Sequence, residues 1–100
     1  MPTYYRDLVP FRMTYLSGST AACGTTSTDV AVPTNADFAF IHAEAGAIYW
    51  VINAGTATTL SPGYAAQDML GLVPAIDNLG TLTVIGSGTA AIAHVEFYQS

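Results

Sequence analysis

An all-β fold, a single antiparallel β-sandwich of jelly-roll type with an extended N-terminal arm, is predicted by three observations. Short apolar and β-branched runs recur along the chain at roughly ten-residue spacing, the rhythm of sandwich strands. Clusters of Gly, Pro, Ser, Thr and Asn separate them. Only Tyr64 to Leu72 competes as a helix, and Gly71 and Pro74 hold it to about two turns. At 100 residues there is room for one domain. The arm is assigned to residues 1–12 and the sandwich to 13–100.

Taken in order, Phe11 to Leu16 reads as a first strand ended by a turn over Ser17, Gly18, Ser19 and Thr20. Cys23 to Ser27 is a loop. Asp29 to Val32 is a brief strand stopped by Pro33, with Thr34, Asn35 and Ala36 turning the chain. Phe38 to Ala43 and Ala47 to Ile52, joined through Gly46, have the spacing of a hairpin. Alternation puts Phe38, Phe40, His42 and Glu44 on one face and Ala39, Ile41 and Ala43 on the other. In the next strand Ile48, Trp50 and Ile52 oppose Tyr49 and Val51. Both faces are apolar, as in a central strand. Asn53 to Thr56 closes it. The stretch ending in Leu72 is either a short helix or a strand running to Val73. Thr81 to Ile85 and Ala90 to Tyr98, around Gly86-Ser87-Gly88, read as a second hairpin. The count is seven or eight strands.

Composition narrows the function. The chain is 51% hydrophobic and 9% charged, against about 25% charged in an ordinary soluble domain. Intrinsic disorder is excluded, since it needs low hydrophobicity and high charge. A lone monomer lacks its usual charged coat, so a homo-oligomer, with a trimer favoured, is expected. Arg6 and Arg12 are the only cations; residues 1–12 carry +1 and the remainder −6. Two arginines cannot make the basic patch that nucleic acid or an anionic membrane requires. No run approaches the roughly 18 apolar residues of a spanning helix. The first residues, Met-Pro-Thr-Tyr-Tyr-Arg-Asp, lack the basic and apolar segments of a secretory signal, so synthesis in a reducing cytoplasm is expected. Cys23 stands alone, which leaves neither an intrachain disulfide nor a cysteine metal site within one chain.

Candidate chemistry is sparse. His42-Ala43-Glu44 and His94-Val95-Glu96 each place an imidazole and a carboxylate on one strand face, and two such strands side by side could offer four metal ligands. The favoured reading is a wet sheet face, because metal sites draw on outer carboxylates and amides that this chain has few of. No G-x-S-x-G elbow is present, and Gly86-Ser87-Gly88 lacks the Lys of a phosphate loop. The chain is therefore expected to be non-enzymatic and to carry no cofactor. Trp50 with Tyr49, Tyr64 and Tyr98 could form a stacking platform for a sugar or a partner's side chain, although Trp in an apolar strand more often packs in a core. Tyr4, Tyr5 and Arg6, between Pro2 and Pro10, have the composition of an interface anchor, the alternative being an edge strand of the same domain. With Phe11, Arg12, Tyr49, Trp50 and Val51 they form the candidate interface set.

From Phe38 onward the order of features resembles small structural proteins of tailed-bacteriophage virions that decorate the head or form the base of head fibres. The residues that carry the likeness are Ala39 to Glu44 (Ala-Phe-Ile-His-Ala-Glu), Ile48-Tyr49-Trp50, Gly55-Thr56, Gly63, and Ala93 to Tyr98 (Ala-His-Val-Glu-Phe-Tyr). Tyr49 and Val51 stand where that pattern carries Arg beside the Trp, so a face charged there is apolar here. The resemblance implies a virion protein on the capsid surface, made in the host cytoplasm, that binds itself and the major capsid protein or another virion protein as a decoration or cement. The alternative is a receptor- or carbohydrate-binding knob on a fibre.

Overall fold

A computed structural model describes residues 14–53, 55–73 and 79–99. These residues contain no helix and form eight strands: β1 (Thr14–Ala21), β2 (Thr28–Val30), β3 (Phe38–Glu44), β4 (Ile48–Ile52), β5 (Gly63–Ala65), β6 (Leu70–Val73), β7 (Leu82–Gly86) and β8 (Ile92–Gln99). They make two four-stranded antiparallel sheets, ordered β1-β8-β3-β6 and β2-β7-β4-β5. First pairs with last, second with seventh, third with sixth and fourth with fifth. The chain thus behaves as one long hairpin doubled at the β4–β5 turn and rolled up, which is jelly-roll topology. The expected all-β sandwich is present; the assigned arm, residues 1–12, lies outside the described residues.

Three local expectations are corrected. Residues Ser17 to Thr20 are strand, not turn: they continue β1 along β8 after a bulge between Tyr15 and Ser17. The bulge resets the alternation, so that Leu16 packs against the core while Ser17 pairs with Phe97. Gly18 opens space rather than ending the strand, since a Cβ there would stand 3.0 Å from the Tyr15 hydroxyl. The two supposed hairpins are arches. β3 and β4 lie in different sheets, as do β7 and β8. In the first arch Ala45 (φ 58°) and Gly46 (φ 148°) turn the backbone through its left-handed region. The arches brace each other, with the Ala47 N–H donating to Ser87 Oγ at 3.0 Å and the Ser87 N–H donating to the Ala47 carbonyl at 3.0 Å. The reason is burial. Ala39, Ile41 and Ala43 on β3 and Ile48 and Trp50 on β4 are all buried. Crossing between sheets lets the two rows cover one another, whereas a hairpin would leave both on one uncovered layer. The contested Tyr64–Leu72 stretch is also settled: it is split between β5 and β6, and the second strand ends at Val73.

The core between the sheets is built from the alternation read in the sequence. Ala39, Ile41 and Ala43 meet Ala93, Val95 and Phe97 on one layer, and Ile48, Trp50, Leu82 and Val84 line the other. Each large apolar side chain so buried contributes about 1.5–3 kcal/mol. A polar tie holds the short edge strand β2: Thr83 is buried, and its hydroxyl donates to Asp29 Oδ1 at 2.9 Å. Thr83→Val keeps the shape and removes the donor, so a loss of about 1–2 kcal/mol is expected in urea unfolding. Thr83→Ser should recover most of it. Equal losses for both variants would assign the effect to packing instead.

Candidate interaction faces

The outward residues of the sandwich form two contrasting surfaces. On the β1-β8-β3-β6 sheet the register sets three rows: Tyr15, Tyr98 and Phe38; then Gly18, Glu96, Phe40 and Leu72; then Thr20, His94, His42 and Leu70. The aromatic row is packed, with Phe38 stacked on Tyr98 at 5.4 Å and Tyr15 edge-on to Tyr98 at 5.7 Å between centroids. Around it, Tyr15 (56%), Leu72 (52%) and Leu70 (61%) are exposed. Between Tyr15 and Leu70 runs a shallow groove of about 440 Å³, floored by Gly18, Phe40 and His94. The Glu96 carboxylate borders it and accepts from the Tyr98 hydroxyl at 3.5 Å. Partial burial, then the Glu96 charge, pushes the Tyr98 phenol above its ordinary value.

The two H-x-E pairs meet on this sheet. His42 is directly opposite His94, with ring centroids 5.9 Å apart. His94 Nε2 lies 2.5 Å from Glu44 Oε1, and its Nδ1 lies 3.3 Å from Thr20 Oγ1. Among the described residues no group of three or more His, Cys, Asp or Glu side chains is arranged to hold a metal ion. The His94–Glu44 pair is solvent-exposed, and such pairs contribute about 0–1 kcal/mol. His42→Gln and His94→Gln, singly or together, are therefore expected to move stability by less than about 1 kcal/mol. A metal retained by the wild type and lost from the double variant would contradict this.

The second surface is the outer face of β2-β7-β4-β5. Tyr49 and Val51 are half-buried there, beside Ile85 and the exposed Tyr64, whose ring lies 5.1 Å from that of Tyr49. No family model, curated protein or solved structure matches the chain. Placement of the candidate residues therefore rests on the geometry. Tyr4, Tyr5, Arg6, Phe11 and Arg12 lie outside the described residues. Tyr49 and Val51 face outward, but Trp50 between them points into the sandwich and is 5% exposed. The stacking platform is accordingly dismantled: Trp50 is core, Tyr49 and Tyr64 share one outer face, and Tyr98 lies on the opposite sheet. The residues missed in the sequence were Tyr15, Leu70 and Leu72. The turn assigned to 17–20 hid the first, and the helix considered over 64–72 hid the alternation of the other two. Cys23 is buried, its burial raising the thiol pKa while its own backbone hydrogen bond partly opposes the shift.

Proposed function

We propose that this chain is a non-enzymatic structural protein of a virion, a decoration or cement protein that binds the head of a tailed phage as a homo-oligomer, with a trimer favoured. One observation carries the reading. Both outer sheet faces present apolar side chains, with Tyr15, Leu70 and Leu72 on one and Tyr49, Val51 and Ile85 on the other, where a freely soluble domain would carry charge. A jelly roll suits such use because its two broad faces are independent of the core, and symmetry multiplies weak contacts. The major capsid protein is the second partner, and the capsid surface the expected location. The fold by itself is shared by capsid proteins and lectins and decides nothing between them.

Immunogold labelling of particles from the producing host, with antibody raised against the purified chain, tests the reading. Label over the head is the expected result. Label confined to fibre tips, joined by specific binding on a glycan array, would favour the receptor-binding knob, and unlabelled particles would overturn both. Light scattering checks the oligomer separately, and a stable monomer at micromolar concentration would remove it.

A further inference from the structure

We infer that the outer face of the β1-β8-β3-β6 sheet is the seat of the Arg- and Tyr-bearing N-terminal segment of a second copy of this chain. The inference rests on the self-association proposed above and says which surfaces meet. The face has two needs. Its exposed Tyr15 and Leu70 border a groove open enough for a ring or an aliphatic side chain, and the exposed Leu72 lies on the same face beside Phe40. Its Glu96 has no Lys or Arg to pair with anywhere in residues 14–99, because both cations of the chain are earlier, at 6 and 12. Glu44 on the same face is already held by His94, which leaves Glu96 as the principal anionic group at the groove.

The complement exists within the sequence. Residues 2–12 combine Arg6 and Arg12 with Tyr4, Tyr5 and Phe11 and carry a net +1, whereas everything after them is −6. Arg is suited to a carboxylate set among aromatic rings, since its planar guanidinium pairs with the first and stacks on the second. Pro2 and Pro10 favour an extended segment that can lie across a sheet. The opposite sheet is a poorer seat: its nearest carboxylate, Asp29, already accepts from Thr83.

Complementary charge reversals test this in the full chain. Glu44→Lys/Glu96→Lys changes the face, and Arg6→Glu/Arg12→Glu changes the segment. Each variant alone is expected to associate at least about tenfold more weakly than wild type, with its β circular-dichroism spectrum unchanged. Mixing the two is expected to restore association between unlike copies, because each then offers the other a matched surface; a closed ring of three keeps one pair of like copies, so its recovery is partial. A segment that seats on its own face cannot produce that rescue. If the Lys variant misfolds, Glu96→Gln replaces it, and its weaker association should be less sensitive to salt than wild type. The proposal is overturned if either variant associates like wild type, or if the mixture stays dissociated while wild type associates. In both cases head labelling would still stand. A monomeric wild type would remove the seat together with the oligomer.

Discussion

Replacing Trp50 by alanine is expected to cost about 3–5 kcal/mol, a large part of the roughly 5–15 kcal/mol that keeps a domain folded. Trp50 does more than fill the interior of its own sheet. Its ring lies over Gly63, its register partner on β5, and reaches Gly71 on β6 of the other sheet. It therefore closes the β5–β6 side of the sandwich, where the sheets would otherwise part. The two glycines are the other half of the same feature. A Cβ at Gly63 would stand 2.3 Å from the Trp50 ring, and one at Gly71 would stand 2.6 Å from it and 3.0 Å from the Ala65 Cβ. Gly63→Ala and Gly71→Ala should each lose about 1–3 kcal/mol by overpacking. In a Trp50→Leu background the same changes should cost much less, because the ring they collide with is gone. Urea unfolding of the two double-mutant cycles decides it, and strictly additive losses would show that the glycines matter for some reason other than the ring.

Gly86→Ala is expected to be comparably damaging, at about 2–3 kcal/mol. At the end of β7 the chain leaves one sheet for the other, and its backbone meets that of the β1–β2 loop at Gly24 and of the β7–β8 link at Ala91. The Gly86 N–H donates to the Gly24 carbonyl at 2.7 Å, while the Gly24 N–H donates to the Ala91 carbonyl at 3.1 Å. A Cβ at Gly86 would come within 2.2 Å of the Ala91 Cβ and 2.6 Å of the Gly24 oxygen. Ala91→Gly removes the first collision but leaves the second, which is with backbone. The double variant should therefore recover part of the loss and not all of it. Full recovery in thermal unfolding would mean that the backbone oxygen moves freely, and no recovery would mean that it alone sets the cost.

The sequence determined a good deal unaided. Period-two alternation correctly divided Ala39, Ile41 and Ala43 from Phe38, Phe40 and His42, because side-chain direction in a strand depends only on parity. The two apolar faces of the Tyr49-Trp50-Val51 strand pointed to an interior position, and β4 does lie inside its sheet. Charge was legible too, since the sparse acidic coat and two early arginines are properties of composition alone. What the tertiary structure decided was pairing. Gly46 and Gly86-Ser87-Gly88 signal a reversal of the chain, but a hairpin and an arch both reverse it with a short link. The choice depends on which distant strand is waiting: β3 bonds to β8 and β6, and β4 to β7 and β5, contacts that no local pattern encodes. The same nonlocality put His42 opposite His94 and gathered Tyr15 from β1 and Leu70 and Leu72 from β6 onto one face. A strand's own residues set which side is apolar; only its neighbours set what that side becomes part of.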